Sequence, residues 1–467
     1  MIDIRVTSPG SAQREPSLAG SRQRRINDLI AYGLIAFIAL VPIPLGANRP
    51  FFWAVSAVLV GIIGLLHAAM LFRAGEAARM PLSRFPVIAS LWAAVCIWLV
   101  AQMLPVGGFT FANSEGAVFE TASMSLAPGE TAYMLVRMAT YGLFFYLVLQ
   151  IAANRSRADF GFKAIFVIVV AYSAYGLVAL TQFGDTLLFF EKWAYQGSAT
   201  GTFVNRNSYA TFLAFGLVAG VILSLKTVFE PTPEAERRVS RSKVSDAALY
   251  GLGTVFIAAA LAASQSRMGL AAGVAGSAAV AMMAGFKLRT ERPAGFRLGL
   301  ILAIALFVVA FAHFGAGTLE RLGNTEQDFD VRAQLYAQVL QMISERPLLG
   351  FGGGSFETAY PLYQHAPVSP DRVWDKAHST YLTLWTELGV VFGTLPILAV
   401  LAIVWRCMSH LLNRQRDFWL PLGAIGIAIV AALHSLVDFS LEIQANTFYF
   451  LAILGLGFAQ YKQRDRV

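Results

Sequence analysis

Between long apolar runs, the sequence sets a few arginines and one histidine where charged chemistry could use them. Arg267 closes Ser264-Gln265-Ser266-Arg267, a link between two apolar runs that is too short for an incidental surface loop. Arg206 lies in Gly201-Thr202-Phe203-Val204-Asn205-Arg206-Asn207, just ahead of another run. Arg332 and Tyr336 are four apart and share a face if their segment is helical. His378, in Asp375-Lys376-Ala377-His378-Ser379-Thr380, opens a further run. A guanidinium is always charged, and its planar fork matches phosphate oxygens. A neutral imidazole, with an ordinary pKa of ~6.5, is a base suited to neutral pH. Nearby arginines and the positive end of a helix favour that neutral form. Together these residues could bind a phosphate group and remove a proton.

Each residue also has a structural reading. Arg267 can snorkel to the headgroup level. Arg332 can belong to the solvated face of a helix, and His378 can be a cap. Asp375 can orient the imidazole or cap a helix, and Asn205 and Asn207 can meet a ligand or cap the run behind them. Arg206 and Arg137 are weaker candidates than Arg267 and Arg332. Asp328 and Asp330 form a D-x-D pair, a metal-binding pattern elsewhere, but they read better as caps of the helix expected after them. His434 and Asp438, spaced i and i+4, read as a hydrogen-bonded pair rather than a proton relay. Four glycines within Gly350-Phe351-Gly352-Gly353-Gly354 suggest a phosphate loop. No strand is expected before them and no Lys-Ser/Thr follows, so a tight structural turn is the better reading. Glu387 lies half a helical turn out of phase with His378 and is a poor direct partner. His365 reads as ordinary loop. No His, Asp or Glu grouping has convincing ligand spacing, so neither a metal nor another cofactor is expected.

The elements that position these residues must be membrane helices. Of 467 residues, 57% are hydrophobic and only 14% are charged. This excludes a disordered chain, a disulfide scaffold and an ordinary soluble enzyme. The two cysteines, Cys96 and Cys407, sit in or beside different runs and imply neither a disulfide framework nor a zinc site. The net charge of +8 would suggest nucleic acid for a soluble protein; in a membrane the side that carries the charge matters more. A bilayer core takes about 20 apolar residues per helix. Runs of that kind predict an all-α, polytopic fold with about twelve spans, at roughly 27–45, 51–72, 85–104, 131–152, 162–183, 207–229, 247–264, 268–287, 297–315, 379–405, 418–436 and 446–461. With the N-terminus in the cytoplasm, most of the 36 Lys and Arg fall inside and most carboxylates outside, as the positive-inside rule requires. Both termini are then cytoplasmic. Arg24-Arg25 ahead of a span-length run reads as the start of an uncleaved first helix, not a signal.

The expected layout is a disordered cytoplasmic tail at 1–26, spans one to nine over 27–315, a large outer loop at 316–378, spans ten to twelve over 379–461 and a cytoplasmic tail at 462–467. Moderate outer loops fall at 105–130 and 184–206. Within the large loop, Val331, Leu335, Val339, Met342 and Ile343 recur at helical spacing and predict an amphipathic helix over about 331–345, stopped by Pro347.

Arg332 on a short helix, then Pro347-Leu348-Leu349-Gly350-Phe351-Gly352, then His378 opening a span that holds Glu387-Leu388-Gly389, resembles the O-antigen ligase-related superfamily. That superfamily includes lipopolysaccharide O-antigen ligases and related O-antigen and exopolysaccharide polymerases. The segments ending at Asn207 and at Arg267 fit the same pattern, so the motifs cover about 200–390. The resemblance implies a metal-independent, inverting glycosyltransferase of the C class in the bacterial inner membrane. Its donor would be a glycan on undecaprenyl pyrophosphate, and its acceptor lipid A-core or a growing polysaccharide at the periplasmic face. His378 would act on the acceptor. Arg267 and Arg332 would bind the pyrophosphate, with Arg206 a further candidate and Asp375, Asn207 and Tyr336 in support. The stretch from His434 to Glu442 has no counterpart in the founding ligases, which leaves ligase and polymerase both open. A flippase of lipid-linked sugars is the rival class. It should carry mid-span charges and functional loops on both sides, whereas these runs are almost free of charge and the long loop lies on one side.

Overall fold

The computed structural model describes residues 18–112, 116–229, 240–288, 325–366, 368–369, 373–414 and 417–461. The described chain is helical: α1 (Leu18–Leu40), α2 (Pro50–Ala74), α3 (Pro86–Met103), α4 (Pro128–Ala152), α5 (Arg155–Thr181), α6 (Arg206–Phe229), α7 (Ser240–Ala263), α8 (Arg267–Leu288), α9 (Thr325–Glu345), α10 (Phe356–Ala359), α11 (Thr380–Asn413), α12 (Trp419–His434) and α13 (Gln444–Tyr461). By length and composition, α2 to α6, α8, α11 and the Ser245–Ala263 part of α7 can cross a membrane, and α12 is a shorter apolar helix. Helices α1 and α13 stand where the first and last spans are expected. The ninth expected span, 297–315, lies outside the described residues.

Three expectations shift. Helix α1 starts at Leu18, inside the segment expected to be a disordered tail, and stops at Leu40 rather than 45. Pro42 and Pro44 follow directly, and a proline ring blocks the helical hydrogen bond and clashes with the preceding turn. The amphipathic helix α9 starts at Thr325, so Asp328 and Asp330 lie inside it and do not cap it. Acidic residues in the first turns suit the positive end of a helix. Finally, the two moderate loops expected outside hold small antiparallel hairpins. Strand β1 (Phe109–Ala112) pairs with β2 (Val118–Thr121), and β3 (Thr186–Leu187) pairs with β4 (Phe190–Glu191).

The apolar core has two parts. The larger fills the helical body around α6, whose Tyr209, Phe212 and Phe215 are fully buried. Small residues let neighbours come close: a Cβ added at Gly269 on α8 would stand 2.4 Å from Ala210 on α6. Lipid-facing helices instead leave apolar side chains outward, such as Leu65 and Phe72 on α2. The smaller cluster caps one end. There Leu335, Val339 and Met342, three of the five residues of the expected stripe, are completely buried against Phe351, Phe356 and Tyr360. Val331, the first of the five, is exposed at 37%.

Candidate functional site

Under the cap, the starts of α6, α8 and α11 meet the connection between α12 and α13. Asn205 caps α6: its side-chain oxygen accepts from the backbone N–H of Asn207 at 2.7 Å and of Ser208 at 3.4 Å. Asn207 therefore faces the site, where it ties three elements together. Its Nδ2 donates to Asp438 Oδ2 at 2.9 Å, and its Oδ1 accepts from Ser266 Oγ at 2.9 Å. Ser440 Oγ donates to the other Asp438 oxygen. His434 Nδ1 lies 2.9 Å from Thr211 Oγ1 and 3.2 Å from Ser440 Oγ. His434 and Asp438 are thus linked through Ser440 and not bonded to each other. The pair expected from their spacing is replaced by a chain of hydroxyls, because α12 ends at His434 and the i, i+4 geometry ends with it.

His378 sits two residues ahead of α11. Ser379 is the N-cap: its hydroxyl accepts from Leu382 N and donates to Ser435 O at 3.1 Å. His378 itself is held at φ +52°, a left-handed conformation that costs on the order of 1–3 kcal/mol and persists only where the surroundings impose it. The surroundings are explicit. Tyr336 donates its hydroxyl to His378 O at 2.8 Å. Phe439 and Trp374 meet the imidazole edge-on, at centroid distances of 5.1 and 5.7 Å. His378 Nδ1 is buried and makes no hydrogen bond to any described residue. Burial lowers the His378 pKa below 6.5; Asp438 pulls it up, Arg332 pushes it further down and Asp375 pulls it up. The imidazole is therefore neutral at pH 7 and can accept a proton.

Arg206 and Arg332 act on the same neighbourhood. The Arg206 guanidinium lies 5.3 Å from the Tyr195 ring centroid. Burial raises the Tyr195 hydroxyl, with Asp438 raising it, Arg206 and Arg332 lowering it and Asp375 raising it. The charges of Arg206, Arg332, Asp375 and Asp438 all act on Tyr195. Tyr336 is raised by burial, lowered by Arg332 and raised by Asp438. Arg267 begins α8 directly after Ser266, the residue that holds Asn207. The loop ahead of α6 is fastened to this link. Gln265 Nε2 donates to Gly197 O at 2.9 Å, and Lys192, paired with Asp185, also donates to Ser198 O. Asp185, Tyr195 and Gln265 share the positive φ of His378.

Other candidates fall away from it. Arg137 is buried, donating to Glu442 O at 2.6 Å and lying 4.3 Å from the Trp53 centroid. His365 is exposed and bonds to its neighbour Ala366. The glycine turn spends its N–H groups within the protein: Phe351 N donates to Thr386 O, Gly352 N to Glu387 O and Gly353 N to Gln102 Oε1. It is the structural turn expected and offers no phosphate cradle. Glu387 is buried and accepts from Phe356 N at 3.3 Å, so it faces that turn. Among the described residues no group of three or more His, Cys, Asp and Glu stands together to hold a metal ion. Tyr195 and Ser440 join the site without having been singled out, and Ser266 enters the sequence reading only as part of the link before Arg267. Nothing in a lone tyrosine or serine of a loop marks it before its partners are known.

Residues 252–397 match the family model described as O-Antigen ligase. The match runs from α7 into α11 and takes in Arg267, Arg332, Tyr336, Asp375 and His378. It supports the O-antigen ligase-related superfamily, and that family implies a ligase- or polymerase-type membrane enzyme with glycosyltransferase-like activity. No curated protein matches the chain.

Proposed function

From that match as premise, we propose that the protein transfers a glycan from undecaprenyl pyrophosphate to a hydroxyl of lipid A-core or of a growing polysaccharide, at the periplasmic face of the inner membrane. The observation that carries this reading is the half-buried His378, whose neutral form burial and Arg332 favour and whose Nδ1 is free of described partners. His378 takes the proton of the acceptor hydroxyl. The oxygen attacks the anomeric carbon from the face opposite the leaving group, so the configuration inverts. The bond from that carbon to the pyrophosphate oxygen breaks, and undecaprenyl pyrophosphate leaves with the electron pair. Arg206, Arg267 and Arg332 hold the pyrophosphate and stabilise its developing charge, the task a metal ion performs elsewhere. Asn207 and Tyr336 are positioning residues: one ties α6 to Asp438, the other holds the His378 carbonyl. Asp375 tunes the imidazole.

The test is incubation of the purified protein with a synthetic undecaprenyl-pyrophosphate glycan and lipid A-core in EDTA. Glycan attached to lipid A-core identifies a ligase, and elongated repeats identify a polymerase. General-base catalysis is worth roughly 10²–10⁴ in rate, so His378→Ala should lose transfer by that order at equal membrane abundance. Wild-type transfer by that variant would overturn the base assignment. Loss of activity in EDTA that Mg²⁺ restores would overturn metal independence.

A further inference from the structure

The loop between α5 and α6 turns aromatic side chains away from the protein. Phe183, Phe189, Phe190 and Trp193 are exposed at 56, 95, 63 and 60%. The β1–β2 hairpin does the reverse: its Phe111 is buried, stacks on Phe119 and packs against Phe351 in the cap. In the β3–β4 hairpin, Phe189 belongs to the two-residue connection and Phe190 opens β4. Glu191 is exposed as well, but it alternates with Phe190 along the strand and points to the other face. The other polar groups turn inward. Lys192 is buried, pairs with Asp185 and donates to Ser198 O, and Asp185 also accepts from Gly197 N at 2.6 Å. The segment is aromatic outside and polar within, the inverse of a loop that faces water.

Its place at the end of α5 decides what covers it. Helix α5 carries Arg155, Arg157, Asp159 and Lys163 near its start and no charged residue from Ala164 to Thr181. That uncharged part is about 27 Å long at 1.5 Å per residue, close to the ~30 Å of a hydrocarbon core. Phe160, Val167, Ala171 and Val178 are exposed along one face of α5, and this stripe ends at Phe183. Backbone bonds from Phe183 N to Val178 O and from Asp185 N to Ala179 O hold the chain on the last turn of the helix. An exposed apolar patch marks either a protein partner or a membrane. Here it continues a lipid-facing stripe at the depth where aromatic rings gather, the boundary of headgroups and acyl chains.

We propose that the β3–β4 hairpin is a membrane anchor. Phe183, Phe189, Phe190 and Trp193 sit in the headgroup–acyl boundary and hold the loop that carries Tyr195 and Arg206 at that depth. The hairpin is fastened to the site through Asp185, Gly197 and Gln265, the last two joined at 2.9 Å. The anchoring stands apart from the transfer reading above; its benefit to donor binding rests on that reading.

The test measures depth. In a protein with Cys96 and Cys407 replaced by alanine, nitroxides are attached singly at Phe189→Cys, Trp193→Cys, Val167→Cys and Thr358→Cys in phosphatidylcholine bilayers. Power saturation then compares collisions with oxygen, which enters lipid, and with a neutral nickel chelate, which stays in water. Labels at Phe189 and Trp193 should favour oxygen, as at Val167 on the α5 stripe, while the label at Thr358 on the cap favours nickel. Nickel-favouring values at Phe189 and Trp193 would overturn the anchor. So would dipolar broadening there that vanishes on dilution with unlabelled protein, the mark of a second copy over the patch. Phe189→Ser with Phe190→Ser should raise the KM for a synthetic undecaprenyl-pyrophosphate glycan severalfold at unchanged kcat, the pattern of lost ground-state binding. Unchanged KM would overturn the link from anchor to loop. Oxygen-favouring labels in a protein that transfers nothing would instead remove the transfer reading and leave the anchor standing.

Discussion

At the scale of single residues, the site is a balance of charges around one imidazole. Burial sets His378 below its ordinary pKa, and the surrounding charges act in opposite senses. A base works only when unprotonated, so the acid limb of kcat/KM should lie below pH 6.5. Asp438→Asn removes a charge that favours the imidazolium, so the limb should move to still lower pH. Arg332→Gln removes a charge that disfavours it, so the limb should move up, along with weaker donor use. Profiles of the three proteins at matched abundance check both signs; shifts in the same direction would refute the arrangement. His378, Arg267 and Arg332 stand out in the sequence as candidates because such residues are scarce among apolar runs. Asp438 was not, because its place depends on Asn207, 231 residues away, and on Ser440.

At the scale of elements, the glycine turn and α11 fit by backbone contact. Gly389 interrupts the helix with φ +76°, and a Cβ there would stand 2.3 Å from Leu348 O. Gly350, at φ +66°, would meet Glu387 O at 2.4 Å. Gly75, which ends α2 at φ +64°, faces open space. Gly75→Ala should therefore cost only the conformational penalty, about 1–2 kcal/mol. Gly350→Ala adds a backbone clash and should cost more than about 3 kcal/mol or fail to accumulate. Thermal shifts of the two variants compare the costs, and equal shifts would deny the close fit. The turn itself was readable from four glycines. The break at Gly389 was hidden inside an apolar run, where one glycine reads as ordinary helix.

At the scale of the whole molecule, apolar runs made the helical body legible, while the hairpins in its loops were too short to carry a signal. The charge asymmetry makes a direct prediction. In a protein with Cys96 and Cys407 replaced by alanine, an impermeant thiol reagent on intact spheroplasts should label Thr358→Cys and spare Ser245→Cys. Labelling of both would reverse the sidedness on which the reaction depends. The glycine turn has one more consequence. The small apolar cluster of the cap and the large one of the body are joined by backbone bonds from Phe351 to Thr386, from Gly352 to Glu387 and from Val390 to Pro347. Neither can lose its order without exposing polar groups of the other. Cap and body should behave as one cooperative unit: a fluorophore at Thr358 and one at Ser245 should report a single melting transition with a common midpoint. Two separated midpoints would mean that the cap is a domain in its own right.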